Sequence, residues 1–116
     1  MDRIMLKSKI HRATLTGADL HYEGSIAIDK TLMIKADLVS GEQVHVLNIN
    51  NGLRFVTYVL EADAGSKAVV LNGAAARLAA VGDMVIILSY CSLSDSEIAS
   101  FNPSIVLVDE QNNILE

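Results

Sequence analysis

The chain carries a single cysteine, Cys91. No intrachain disulfide can form, which suits a reducing compartment. It contains no apolar run near the ~20 residues of a membrane helix, and Met1 to Lys7 lacks the apolar stretch of a signal peptide. These absences make a cytoplasmic protein with no membrane partner the expectation. Positive charge is in short supply: nine Lys and Arg stand against 14 Asp and Glu, for a net charge of -5. With no broad basic block, nucleic acid is a poor candidate partner. His11, His21, His45 and Cys91 show no close ligand spacing, so no metal site is expected. The dinucleotide and phosphate loops are missing, and Ser25 lies outside any Gly-x-Ser-x-Gly elbow. No repeat, low-complexity tract or linker interrupts the chain.

What is present is apolar and strand-forming. Apolar residues make up 51% of the 116, high for one small domain, which points to surface buried against sister subunits. The length sets one domain over 1–116 as the expectation. Residues 3–15 are read as a strand, with Ile4, Leu6, Ser8 and Ile10 on one face and Met5, Lys7, Lys9 and His11 on the other. The plainer reading of Lys9 and His11 is a solvated polar face. Thr16 to Asp19 is a turn or short helical turn. Ile26 to Ile28 is a strand, and Lys30 to Val39 holds a short helix with Thr31 as N-cap.

Gln43 to Ile49 and Arg54 to Leu60 are strands around an Asn50-Asn51-Gly52 hairpin turn, since Asn and Gly both accept positive φ. Period 2 puts Arg54, Val56 and Tyr58 on one face and Thr57 on the other. Thr57 reaches a site on the first face only through its backbone or a bulge. Ala68 to Leu71 is a buried strand. Ala74 to Val81 is a short helix stopped at Gly82. Met84 to Tyr90 is an apolar strand with Val85 to Leu88 in the core. Asp95 to Ser100 is a helical turn or two ending before Pro103, Ile105 to Val108 is the last strand, and Gln111 to Asn113 is a loose polar tail. Many short strands between Gly turns predict a mainly β chain with a few short helices, a small barrel.

One dipeptide has chemical potential beyond packing. Gly24 presents a carbonyl that no side chain crowds, and the Ser25 hydroxyl directly after it can attack through a five-membered ring. Holding the two in attack geometry is worth on the order of 7–11 kcal/mol of barrier. Taken alone, Gly-Ser is far more often a turn. Its surroundings change the weight. The run Met5-Leu6-Lys7-Ser8-Lys9-Ile10-His11-Arg12-Ala13-Thr14 precedes Ala18-Asp19-Leu20-His21-Tyr22-Glu23-Gly24-Ser25, and Asn51-Gly52, Arg54, Thr57-Tyr58 and Asn72-Gly73-Ala74-Ala75-Ala76 follow. In this order and spacing the chain resembles the pyruvoyl-dependent aspartate decarboxylase family, from Met1 to about Asp109. Tyr-x-Gly-Ser together with Asn-Gly-Ala-Ala-Ala is specific; either alone is weak. Leu47 and Arg77 depart from residues found in members of the family, Trp and His, at positions given no chemical role.

The resemblance implies a double-psi β-barrel in a homotetramer, with active sites between subunits. It implies self-cleavage between Gly24 and Ser25 into 1–24 and 25–116, through an ester that eliminates and hydrolyses to leave a pyruvoyl group at position 25. That group is the cofactor, an electron sink like pyridoxal. The reaction implied is decarboxylation of L-aspartate to β-alanine and CO2, on the way to pantothenate. Thr57 is implied as oxyanion donor during cleavage. Arg54 is suited to hold one substrate carboxylate bidentately, and Lys9 is the second cation. Tyr58, a phenol protonated at neutral pH, can return the proton. Asn72, Gly73, Ala74 and Ala75 offer an amide, backbone contacts and a close wall. Plain readings stand beside these: an ion pair for Arg54 and Lys9, a half-buried strand residue for Tyr58, and close packing for the Gly-Ala run. A maturation helper protein is an admissible partner. Two alternatives stay open, an uncleaved barrel used for binding or assembly and a pyruvoyl decarboxylase for another amino acid. Intact mass separates the first and a substrate panel the second.

Overall fold

The computed structural model describes residues 1–21 and 24–115; Tyr22 and Glu23 of the Tyr-x-Gly-Ser block, and Glu116, lie outside the described residues. The described residues form nine strands: β1 Asp2–Thr14, β2 Gly17–Asp19, β3 Ser25–Asp29, β4 Gln43–Asn48, β5 Arg54–Ala62, β6 Val69–Asn72, β7 Met84–Ser94, β8 Ser104–Val108 and β9 Ile114–Leu115. Their hydrogen-bonded order is β2-β6-β3-β5-β4-β7-β1-β8-β9. Three pairings are parallel, β1 with β8, β2 with β6 and β3 with β5; the others are antiparallel. Two short α-helices, α1 Lys30–Lys35 and α2 Asp95–Ile98, and a 3-10 helix Gly73–Leu78 complete it. No helix among the described residues is long and apolar enough to cross a membrane.

Inward positions follow the two-residue period of the strands. Val44 and Val46 of β4, Ile26 and Ile28 of β3, Leu71 of β6, and Val85 and Ile87 of β7 are buried in one core with Ile10, Leu32, Met33 and Val59. The expectation that Val85 to Leu88 are all core is half right, because Ile86 and Leu88 lie on the outer face of β7 and are only partly covered. The Asn50-Asn51-Gly52 turn joins antiparallel β4 and β5 as expected, with Gly52 N–H donating to the Asn48 carbonyl at 2.9 Å.

The single-faced reading of residues 3–15 fails at two bulges in the β1–β7 register, one between Leu6 and Ser8 and one between Ile10 and Ala13. A bulge inserts one unpaired residue and shifts every later side chain to the other face. Ser8 and Ile10 are buried as expected, but Ile4 is 79% exposed and Leu6 pairs with outward Tyr90. Lys7, the extra residue, donates to the Asp37 carbonyl and to Glu42 Oε2 at 3.1 Å. Arg12, at φ 66, forms the second irregularity.

Other corrections are local. Gly17 to Asp19 is a strand rather than a turn, hydrogen-bonded in parallel to β6. The helix expected to run from Lys30 to Val39 ends at Lys35, and its cap is Asp29, not Thr31. Asp29 is buried, and its carboxylate accepts from Thr31 N–H at 2.8 Å, Gly65 N–H at 2.9 Å and Lys67 N–H at 2.7 Å. A charged oxygen with three backbone donors outcompetes a hydroxyl one residue on. The Ala-rich helix is 3-10, covers Gly73–Leu78 and stops at extended Ala79 rather than at Gly82. The tail is not loose at Asn112. That side chain is buried, accepts from Thr14 N–H at 2.8 Å and donates to the Thr14 and Lys67 carbonyls, both at 2.9 Å.

Candidate active site

Ser25 opens β3 and is fully buried. Its φ is 149°, a backbone state that costs a non-glycine residue about 1–3 kcal/mol. Gly24 before it is exposed, and a Cβ built there meets nothing within 4 Å. The antiparallel register sets Ser25 opposite Asn72 at the end of β6, and Asn72 Nδ2 donates to Ser25 Oγ at 3.2 Å. Asn72 therefore gives no side-chain cap to the 3-10 helix that follows it. Gly73, at φ 67, is buried; Ala74 is exposed and Ala75 packs against the core. A left-handed φ favours glycine here.

β5 lies parallel to β3, with Ile26 opposite Val59. One step back along that register, Tyr58 comes level with Ser25. β5 has no bulge against β4, so its alternation is regular. Tyr58, Val56 and Arg54 face outward and Tyr58 is 40% exposed, while Thr57 points to the opposite face and is half-buried. The two-residue period puts Thr57 on the face opposite Tyr58, and with no bulge in the β4–β5 register its side chain stays turned away from Tyr58.

On that outer face the Arg54 side chain leans away from β3, across β4 toward β7. Its Nη2 donates to the Tyr90 hydroxyl at 3.2 Å and lies 3.4 Å from His45 Nδ1. The His45 and Tyr90 rings meet edge to face, with centroids 5.1 Å apart. Ile4, Gln43, His45, Arg54 and Tyr90 line a cavity of about 400 Å³. In the order β3-β5-β4-β7, Ser25 is on one side of β5 and the Arg54 guanidinium, held by β4 and β7, is on the other. Lys9 is farther off, on β1 between Leu88 of β7 and Ile105 of β8. One chain thus brings Ser25 and Asn72 together, with Tyr58 beside them in register, but leaves Arg54 and Lys9 apart from them. Among the described residues neither Arg54 nor Lys9 forms an ion pair with a carboxylate. Close to Lys9, burial first and then the Lys9 and Arg12 charges hold His11 below its ordinary value, which favours the uncharged ring, and His11 Nδ1 is buried without a partner among the described residues.

Sequence reasoning missed His45 and Tyr90 beside Arg54. The signal was the β4–β5 hairpin register, which sets His45 across from Val56; Tyr90 needed the β4–β7 pairing as well.

Solved structures define the class. The chain is similar to a rationally designed double-psi β-barrel, with a TM-score of 0.50 and 24% identity, covering 66% of this chain and 90% of that one. A computationally designed barrel of the same kind gives a TM-score of 0.51 at 20% identity, covering 77% and 99%. The fold is a double-psi β-barrel, with a strained, buried serine at the head of one strand. A model of the family described as aspartate decarboxylase matches residues 1–115. The chain is 54% identical to the aspartate 1-decarboxylase of Thermoanaerobacter pseudethanolicus over 97% of its length and 96% of that protein. It is 55% identical to that of Syntrophus aciditrophicus, covering 98% of both chains. This chain belongs to the aspartate decarboxylase family.

Proposed function

We propose that this chain is a carboxy-lyase that converts L-aspartate to β-alanine and CO2, after cutting itself between Gly24 and Ser25 into 1–24 and 25–116 of one barrel domain. The observation that carries the cleavage reading is the state of Ser25: φ 149°, full burial, and an Oγ oriented by Asn72 next to an unshielded glycine. First, Oγ bonds to the Gly24 carbonyl carbon, the C–N bond breaks and the hydroxyl proton ends on the released nitrogen, leaving the two pieces joined by an ester. The cut follows when the Cα of residue 25 loses its proton and the Cβ–Oγ bond breaks, freeing 1–24 as a carboxylic acid; the dehydroalanine left at position 25 takes up water and loses ammonia. Backbone strain at Ser25 is relieved as that peptide bond opens. Thr57 is the proposed donor to the oxyanion. Its side chain faces away from Tyr58 and from Ser25 level with it, so the role requires a local twist of β5 at that point.

The residues fit a pyruvoyl group at position 25. The Asn72 amide that donates to Ser25 Oγ is placed to donate to a ketone oxygen there, and burial keeps water out. Such a group supplies the electron sink that loss of CO2 requires. The chain's own residues do the rest. Tyr58 donates its phenolic proton to the substrate carbon that has lost CO2. Arg54 and Lys9, with no carboxylate partners among the described residues, hold the two ends of a diacid. Gly73, Ala74 and Ala75 form the wall of the substrate pocket.

Arg54 and Ser25 lie on opposite sides of β5, and Arg54 stands four residues, about 13 Å, along the strand from Tyr58. One aspartate does not span that distance. The reading therefore takes Arg54 and Lys9 from a neighbouring copy, in a homotetramer with sites between subunits. Val56, Ile105 and Leu107, apolar yet about half exposed on the outer sheet face, support such burial. Intact-mass measurement tests the proposal. Two fragments, with the larger resistant to Edman degradation, are expected; one uncut mass after long incubation overturns it.

A further inference from the structure

We infer that His45 and Tyr90 are positioning residues that set the Arg54 guanidinium for a substrate carboxylate, and so determine affinity for the acid rather than the rate of the chemical step. The inference rests on the reading of Arg54 as a carboxylate ligand.

Three facts carry it. First, both partners of Arg54 are neutral acceptors: the Tyr90 hydroxyl oxygen and, with the ring proton on Nε2, the lone pair of His45 Nδ1. A carboxylate partner would orient the guanidinium and also quench its charge; neutral acceptors orient it and leave the charge for an incoming anion. Second, both contacts fall on Nη2, and Nη1 and Nε have no partner among the described residues. Third, the cluster borders a cavity of about 400 Å³, within the range that holds small ligands. The edge-to-face packing of His45 on Tyr90 fixes each ring against the other. An unheld arginine keeps most of its rotamers and loses that freedom on each binding event. Here the folded sheet holds it in place before the substrate arrives.

The two residues differ in what they contribute. Tyr90 gives a hydroxyl at the better distance, so Tyr90→Phe removes the acceptor and keeps the ring that packs on His45. His45→Asn keeps an acceptor near the Nδ1 position, and His45→Ala removes it together with the stacking.

The test uses the mature enzyme. KM and kcat for aspartate are measured with wild type, Arg54→Ala, Tyr90→Phe, His45→Ala, His45→Asn and the Arg54→Ala/Tyr90→Phe double variant. Succinate, a dicarboxylate without the amine, is titrated by calorimetry as a readout independent of turnover. Tyr90→Phe is expected to weaken aspartate KM and succinate Kd by about tenfold, the scale of one hydrogen bond to a charged group, with kcat little changed. His45→Ala should act similarly and His45→Asn should restore most of the loss. The double variant should be no worse than Arg54→Ala, because its partner is already gone. If Arg54→Ala weakens both constants while Tyr90→Phe and His45→Ala leave them at wild type, the inference is overturned and the Arg54 reading stands. If Arg54→Ala changes neither constant, the reading of Arg54 fails and takes the inference with it.

Discussion

Asn72 Nδ2 donates to Ser25 Oγ at 3.2 Å, joining the last residue of β6 to the first residue of β3 across one register pair. The bond fixes the serine rotamer in a place where water does not reach it. Asn72→Ala leaves that hydroxyl buried, free to rotate and without its donor. Cleavage should slow by about tenfold or more, since an unpaired buried polar group costs about 1–3 kcal/mol. Ser25→Ala should remain one uncut chain and make no β-alanine. Both are followed by gel and intact mass; normal cutting in Asn72→Ala removes that residue from maturation, and turnover by Ser25→Ala ends the proposal.

Tyr58 and Thr57 are adjacent in sequence and face opposite sides of β5, so their defects should separate. Tyr58→Phe keeps the ring and the packing, and should fold and cleave while losing about 10²–10⁴-fold in product formation, the scale of one general acid. Thr57→Val should instead slow the cut. A Tyr58→Phe enzyme with full activity means that another donor, or a water, delivers the proton.

Lys9 forms no ion pair among the described residues and points out between β7 and β8. Lys9→Ala should raise the KM for aspartate by the worth of a charge-assisted bond, about 1.5–3 kcal/mol, without lowering the melting temperature. A stability loss with unchanged KM would place Lys9 in the scaffold instead.

Asp29 gives a pH-dependent stability. Burial pushes its carboxyl up, but the N–H groups of Lys67, Thr31 and Gly65 outweigh that and hold its pKa below the ordinary 3.8. The stabilisation is present above the unfolded-state value and is lost as pH falls through the lower folded-state value. Asp29→Ala should destabilise by at least about 2 kcal/mol near neutrality, because three backbone donors lose their acceptor. The gap from wild type should shrink steadily below pH ~4. Chemical denaturation at several pH values measures it, and a gap independent of pH contradicts the assignment.

The hairpin from β4 to β5 was legible because period-2 alternation and Asn-Gly chemistry agree there. The outward row of Arg54, Val56 and Tyr58 came with it. The bulges of β1 were not legible, since Lys7 and Arg12 carry no turn signal and a bulge is decided by the strand across from it. β2 was hidden for the same reason: its three residues become a strand only by pairing with β6. Asn112 looked like a polar tail because its partners, Thr14 and Lys67, are 98 and 45 positions away. At the site, Gly24-Ser25 drew notice only together with the Asn-Gly-Ala-Ala-Ala block, since Gly-Ser alone reads as a turn. The Asn72 bond was not visible, since 47 residues separate the pair and only the β3–β6 register joins them.

β1 is an interior strand, hydrogen-bonded to β7 on one side and to β8 on the other. A cut at Gly24 severs β1 and β2 covalently from the rest but breaks none of those ladders. The mature barrel is then a two-piece complex whose smaller piece supplies an inner strand, so reassembly after denaturation becomes a second-order reaction. Its refolding rate should rise with protein concentration, whereas the uncut Ser25→Ala chain refolds each subunit at a rate independent of it. Self-cleavage would thus exchange a chain able to renature alone for one that, once melted, depends on finding its missing strand.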